Sequence, residues 1–90
     1  FAHYVYICNE HEELIGVINL YDLFMHEPRT PLSEIMEPDV VVIHVKTSKE
    51  MVIQKMLRYK MYALPVVSEH HKILGVVTFD DVTKDILEKL

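Results

Sequence analysis

The sequence predicts an α/β (α+β) fold made of short strands and amphipathic helices. Three observations support this prediction. Apolar runs of strand length alternate with stretches whose apolar residues recur at helical spacing. Half of the 90 residues are hydrophobic, which is enough for a small core. The order strand, strand, helix also occurs twice along the chain, as an internal repeat would produce.

The first part of the chain predicts a hairpin followed by a short helix. Tyr4–Cys8 and Leu14–Asn19 are apolar and rich in β-formers, and the polar residues 9–13 between them are typical of a turn. Leu20–His26 then has its apolar residues on one helical face. This part therefore predicts strand, strand and helix.

A proline-containing linker separates the two parts of the chain. Pro28 and Pro31 end the first helical pattern, and Leu32–Met36 predicts a single helical turn. We assign residues 28–39 to the linker. The compact apolar run Val40–Val45 that follows predicts a buried strand.

A helix is predicted over residues 48–59. Thr47 and Glu50 have the spacing of a capping box, in which the hydroxyl and the carboxylate each bind a free backbone N–H at the start of a helix. The apolar residues at helical spacing are expected to face the core: Val52, Ile53, Met56 and Leu57.

The last part of the chain predicts a second hairpin and a final helix. Ala63–Val67 and Ile73–Thr78 are the predicted strands, and Pro65 suggests an edge or an end because proline cannot donate to a sheet. A helix is predicted from about residue 80 to residue 90. One face of this helix is apolar: Val82, Ile86, Leu87 and Leu90.

The two hairpin-and-helix parts match each other at an offset of 59 residues. The identities are Glu10, His11, Gly16, Val17 and Asp22 with Glu69, His70, Gly75, Val76 and Asp81. Fixed spacing with the same element order indicates a repeat. Residues 40–90 would then be a complete second copy of order β-α-β-β-α. Residues 1–27 would be the end of a first copy, whose opening strand and helix would precede Phe1, and a pseudo-twofold axis would relate the copies.

Two segments of the second copy resemble a known family. Gly75–Asp81 (GVVTFDD) is similar to the sequence that ends CBS repeats, and Ala63–Val67 is similar to the strand that precedes it. Gly16–Asp22 is the first-copy version, with Asn19 in place of the hydroxyl residue. The resemblance implies the CBS-domain fold.

The match is more specific to the CBS modules of MgtE-like bacterial magnesium transporters. Residues 30–40 (TPLSEIMEPDV) resemble the linker between the repeats of that family, and Arg58-Tyr59 with Met61-Tyr62 resemble its second repeat. The resemblance implies a homodimeric channel whose cytosolic domains close the pore when magnesium is plentiful. Partners would be the transmembrane and other cytosolic domains of the parent transporter, at the cytoplasmic face of the inner membrane.

The resemblance also implies an adenine nucleotide site, for ATP, AMP or a related ligand. Thr78 would bind phosphate where the free N–H groups of the last helix favour anions, and Asp81 would accept hydrogen bonds from ribose. The walls around the base would be Val42, Ile43, Tyr62 and Pro65. In the alternative interpretation, Thr78 only caps the helix and Asp81 is a favourable first-turn charge. The equivalent first-copy pair, Asn19 and Asp22, belongs to an incomplete repeat.

Acidic residues are the candidate Mg²⁺ ligands, because Mg²⁺ prefers carboxylate and water oxygens. The resemblance implies Glu50 and Asp81, with Asp80 adjacent. Lys60 and Lys84 stand where the family has carboxylates, so at least one family site is in doubt. A lysine ammonium could replace the cation there and pair with Glu50.

Other classes of function find little support in the sequence. A net charge of −5 with scattered basic residues disfavours nucleic acid, and no apolar run reaches membrane-spanning length. No nucleophile–base set, P-loop or dinucleotide fingerprint is present, so an enzyme is not expected. His70 and His71 are expected in a solvated turn, and the single Cys8 is expected to be a small buried hydrophobe. The alternatives left open are a nucleotide-sensing or purely dimerising CBS module of an unrelated enzyme or transporter.

Overall fold

The computed structural model describes the backbone of residues 3–88 and the side chains of residues 3–84. Its contacts divide the chain into two compact units, one extending to Val40 and the other beginning at Val41. The hairpins of the two units form separate sheets, one of two strands and one of three. Helices and strands are both present, which confirms the predicted α+β class.

The first unit contains the hairpin that the sequence predicted, with the same bounds. Strand β1 (Tyr4–Cys8) pairs antiparallel with β2 (Leu14–Asn19). Helix α1 covers Leu20–Phe24, which is two residues shorter at its end than predicted. The following residue, Met25, donates its backbone N–H to the carbonyl of Asp22, and this bond closes the last turn.

The linker forms one helical turn and then pairs with the hairpin. Helix α2 covers Leu32–Ile35, which confirms the predicted turn. Glu37 then makes two backbone hydrogen bonds with Val17, at 2.8 and 3.0 Å. The linker therefore adds a short third segment to the outer edge of β2.

The second unit has the predicted element order. Its elements are β3 (Ile43–His44), α3 (Lys49–Tyr59), β4 (Ala63–Val67), β5 (Ile73–Thr78) and α4 (Phe79–Glu88). Strand β3 is parallel to β4, and β4 is antiparallel to β5, so β4 is the central strand.

The strand predicted over Val40–Val45 was too long, because only Ile43–His44 pairs with β4. The carbonyl of Val42 instead accepts a hydrogen bond from the ammonium of Lys55 at 2.7 Å. Val45 is 64% exposed and lies in a turn, which the N–H of Thr47 closes on the carbonyl of His44. The part-buried carbonyl of Val42 therefore has its partner outside the sheet, as buried backbone groups require.

Pro65 was predicted to mark an edge or an end, yet it lies within the central strand. Strand β3 pairs only with Val66 and Val67, so its register does not reach Pro65. On the other side, Pro65 lies opposite Val76 of β5. Because β3 contributes only two residues to the sheet, no hydrogen bond between β3 and β4 is lost at Pro65. Proline is therefore tolerated in this central strand.

The start of α3 differs from the predicted capping box. The N-cap is Ser48, whose hydroxyl accepts from the N–H of Met51 at 3.3 Å, and Thr47 lies one residue outside. The helix ends at Tyr59, as predicted. Leu57 was expected in the core but is 56% exposed, because it lies at the edge of the apolar face.

The core of the second unit lies between its helices and its sheet. Five buried residues form it: Ile43, Val52, Met56, Leu64 and Val82. Ile53 packs partly buried against this cluster, as its helical spacing predicted. Of the apolar face predicted for α4, Val82 is confirmed, whereas Ile86, Leu87 and Leu90 lie outside the described side chains.

The backbone confirms the repeat at an offset of 59 residues. Every pair in the β1–β2 register has its counterpart in the β4–β5 register, including the irregularity before the last pair. Glu12 and His71, at equivalent turn positions, have φ angles of 64° and 62°. Asn9 and Ser68 each accept two backbone N–H bonds in these turns.

Candidate functional site

The start of α4 holds two of the predicted site residues in a reciprocal arrangement. The hydroxyl of Thr78 accepts from the N–H of Asp81 at 3.2 Å, and the carboxylate of Asp81 accepts from the N–H of Thr78 at 3.2 Å. This capping box orients both side chains at the helix N-terminus. Both residues are exposed, so the arrangement faces solvent.

The capping box leaves binding capacity on both side chains. A hydroxyl has one donor hydrogen and two acceptor positions, and the box uses one acceptor position of Thr78. In Asp81 the box uses only one carboxylate oxygen, Oδ2. The hydroxyl hydrogen and the second oxygen can therefore bind a ligand while the cap remains formed.

Tyr62 lies beside the start of α4. Its carbonyl accepts from the N–H of Phe79 at 2.8 Å, and the two rings meet edge to face with centroids 5.6 Å apart. Phe79 packs against the core, whereas Tyr62 is 61% exposed. The aromatic ring of Tyr62 is thus held next to the capped helix with much of its surface free.

The other predicted wall residues present less surface. Ile43 and Pro65 are buried, and Ile43 belongs to the core cluster. Val42 is half-buried, with its carbonyl bound by Lys55. Among the residues predicted to surround the base, Tyr62 is therefore exposed and Val42 is half-buried.

Lys55 was not identified from the sequence. Its ammonium donates a charge-assisted hydrogen bond across 13 residues to Val42, and so fixes the segment leading into β3. A lysine between the buried positions Val52 and Met56 of α3 was the available signal, because a charge beside an apolar helix face needs a local partner.

The first-copy pair is arranged differently. The amide oxygen of Asn19 accepts from the N–H of Tyr21 at 2.9 Å and caps α1. Asp22 is exposed, and its backbone carbonyl lies 2.8 Å from a ring nitrogen of His26. Since the side chain of Asp22 makes no described bond back to Asn19, a reciprocal box is found only in the second copy among residues 3–84.

The candidate magnesium ligands lie at helix starts. Glu50 is in the first turn of α3, Asp80 and Asp81 are in the first turn of α4, and all three are exposed. The described residues contain no group of three or more acidic, His or Cys side chains placed to hold a metal. Any Mg²⁺ bound here would need most of its oxygens from water or from another segment.

The suggested pairing of Glu50 with a lysine is wrong for Lys60. The two residues lie ten positions apart at opposite ends of α3, which is about 15 Å at 1.5 Å per residue. No described ion pair joins Glu50 to Lys84 either. Among the described residues, neither lysine ammonium forms an ion pair with Glu50.

Three histidines lie in exposed turns of the two hairpins. His11 and His70 lie in exposed turns, 3.6 Å from Glu10 and 3.9 Å from Glu69, respectively. His71 is also exposed, as predicted for this turn.

Cys8 is only half-buried, since it lies at the end of β1, so the prediction of a buried cysteine was wrong. No helix in the described part of the chain is long and apolar enough to cross a membrane.

Comparison with protein families matches residues 32–88 to the CBS domain. The chain belongs to the CBS domain family. It is 43% identical to the magnesium transporter MgtE of Thermus thermophilus over 96% of its length, and 35% identical to MgtE of Enterococcus faecalis over 89%. It spans less than a fifth of these relatives, 19% and 18% of their lengths.

Solved structures show the same CBS fold. The soluble part of a magnesium transporter superposes with a TM-score of 0.87 at 34% identity, over 96% of this chain and 34% of the other. The cytosolic domain of the Mg²⁺ channel MgtE in complex with ATP gives 0.83 at 39% identity, over 97% and 34%. The resemblance to MgtE-like CBS modules is therefore confirmed.

Proposed function

We propose that this CBS module is a non-catalytic regulatory part of an MgtE-like magnesium transporter. It senses Mg²⁺, together with an adenine nucleotide, and passes the signal to the channel. The observation that carries the proposal is the 43% identity with a magnesium transporter over 96% of the chain. In this proposal the module acts as a homodimer at the cytoplasmic face of the inner membrane, against the other domains of the transporter.

The nucleotide part of the proposal rests on the start of α4. Free backbone N–H groups and the helix dipole attract phosphate there. The hydroxyl hydrogen of Thr78 would donate to a phosphate oxygen, and the second carboxylate oxygen of Asp81 would accept from ribose. The exposed ring of Tyr62 would stack against the base. A similar cytosolic domain has been solved in complex with ATP.

The magnesium part rests on exposed carboxylates that lack a complete ligand set. Glu50, Asp80 and Asp81 each carry the carboxylate oxygens that Mg²⁺ prefers. None of these carboxylates forms an ion pair among the described residues. One or two carboxylates with waters suffice for Mg²⁺ when another domain supplies the rest. Such a shared site would link the metal concentration to the contact between domains, which is what a sensor requires.

Titration with ATP tests the nucleotide proposal directly. We expect ATP to shift the amide resonances of residues 78–82, and Thr78→Ala to weaken binding by about tenfold through loss of one phosphate hydrogen bond. Thr78→Ser keeps the hydroxyl and is the matched control, so it should bind like the wild type. Equal affinity of the Ala and Ser variants would contradict a role for the hydroxyl.

A second candidate function is nucleotide sensing within an enzyme. The chain is 29% identical to the L-aspartate semialdehyde sulfurtransferase of Methanocaldococcus jannaschii over 87% of its length, so the same module occurs in proteins of another class. Such a module would bind nucleotide without any response to Mg²⁺. A module that only dimerises would bind neither ligand. Titration with ATP and a separate titration with Mg²⁺ therefore distinguish the three functions.

A further inference from the structure

The two copies differ at the outer edge of their second hairpin strand. Gly16 of β2 lies opposite Ile7, and Gly75 of β5 lies opposite Val66, at the same position of the same register. The backbone of the two hairpins is otherwise alike. A difference in what covers the two glycines is therefore not a consequence of a different strand geometry.

In the first copy the edge is covered by the linker. Val17 exchanges two backbone hydrogen bonds with Glu37, and the Met36 side chain lies over Gly16. A Cβ atom at Gly16 would come within 2.5 Å of the Met36 sulfur and 2.9 Å of its Cγ. The glycine is needed here because the linker approaches the strand so closely.

In the second copy no described residue covers the same edge. A Cβ at Gly75 would meet no atom within 4 Å, and Gly75 is exposed where Gly16 is buried. Val76 is 49% exposed and Leu74 is 58% exposed. The shared register directs the N–H and C=O of Val76 away from β4, and no described bond joins them to a residue outside the sheet.

Gly75 has no local reason to be glycine. Its φ is not positive, and the space above it is free. A glycine inside a strand weakens that strand by about 0.5–1 kcal/mol relative to alanine. The feature that explains Gly16 would also explain Gly75, namely close approach of another backbone segment.

We propose that the outer edge of β5 at Gly75 and Val76 binds a segment of the kind that Leu32–Glu37 forms on β2. The occupant is one helical turn followed by an extended residue. A flexible apolar side chain such as methionine lies over Gly75, and the extended residue exchanges two backbone hydrogen bonds with Val76.

The occupant is a further segment of the longer polypeptide in which the module works. The Leu32–Glu37 segment already covers Gly16, so it cannot also cover Gly75 of the same chain. This step rests on the proposed function, in which the module is part of a transporter. The edge strand also needs a cover, because unpaired edges promote association between chains.

The test compares Gly75→Val in the 90-residue chain and in the longer transporter polypeptide, each followed by thermal unfolding. In the short chain we expect no loss of stability, since the new side chain enters free space. In the longer polypeptide the melting temperature of this region should fall, because the side chain displaces the occupant. Gly16→Val is the matched control and should destabilise both forms.

Hydrogen exchange at the Val76 amide provides a readout that needs no variant. We expect exchange at least about tenfold slower in the longer polypeptide than in the short chain, since pairing protects an edge amide. Equal exchange in both forms, or an unchanged melting temperature of the longer Gly75→Val polypeptide, overturns the inference. Either result leaves the proposed function standing, because that function is tested by ATP and Mg²⁺ binding.

Discussion

Lys60 ends α3 in a conformation that ordinary side chains avoid. Its φ and ψ are 54° and 40°, and its N–H binds the carbonyl of Met56. The next residue, Met61, also donates to Met56, at 3.0 Å. This is the left-handed helix end at which glycine is usual. Replacing Lys60 by glycine and by alanine separates the effect of the backbone conformation from the effect of the charge.

The expected difference follows from two opposing terms. The left-handed region costs a non-glycine residue about 1–2 kcal/mol. Glycine loses about 0.5–1 kcal/mol more chain entropy on folding than alanine. Both variants remove the same ammonium group, so its interaction with the helix end cancels. Lys60→Gly should therefore be more stable than Lys60→Ala by about 0.5–1 kcal/mol.

Arg58 supplies the matched control within the same helix, because it lies in the last turn with regular geometry. There the order should reverse, with Arg58→Ala more stable than Arg58→Gly by about 1 kcal/mol. Urea unfolding followed by circular dichroism measures all four variants. If Lys60→Ala proves as stable as Lys60→Gly, α3 continues past Tyr59 and the described helix end is incorrect.

Two further predictions concern Lys84 and Tyr6. Lys84→Asp adds a carboxylate one turn after Asp80 and Asp81, so in chelator it should lower stability by about 0.5 kcal/mol, and millimolar Mg²⁺ should restore that loss in thermal melts. Lys84→Gln and the wild type should respond little, and a large rise in all three would show that Lys84 does not replace a metal ligand. Burial, with the neighbouring Tyr4, raises the pKa of Tyr6, whose hydroxyl has no partner among the described residues. Its stabilising contribution is full below the unfolded pKa of about 10 and is lost as pH rises through the folded pKa. Tyr6→Phe should therefore reduce the fall in stability above that pH, and an identical fall in both proteins would contradict this.

Local signals predicted the two hairpins well. The bounds of β1, β2, β4 and β5 follow from apolar runs flanked by polar turns, and these patterns act within a few residues. Two errors in the second unit arose where the outcome depended on distant partners. Next to β3 the Val42 carbonyl binds Lys55, which lies 13 residues later, and β4 is central because Ile43 pairs with Val66, 23 residues later.

In the candidate site, too, the local arrangement was predictable from the sequence and the distant one was not. The pairing of Thr78 with Asp81 spans three residues, so helix-start chemistry predicted both side chains. The proposed Mg²⁺ ligands could not be assembled from the sequence, because Glu50 and Asp80 lie on different helices of the second unit. A complete metal site would also need oxygens from outside the described residues.

The capping residues give the two copies different capacities for an anionic ligand. In the second copy the Thr78 hydroxyl accepts from the helix and still has a hydrogen to donate. In the first copy the Asn19 oxygen accepts from Tyr21, and the amide group keeps its two donor hydrogens. Asp80 and Asp81 give the second copy two charges in its first helical turn, whereas the first copy has Asp22 alone. These charges oppose a bare phosphate but favour a phosphate that carries Mg²⁺. The start of α4 is therefore better suited to a nucleotide that carries Mg²⁺ than to the nucleotide alone. In the proposed sensor, both ligands would then bind at the same helix end.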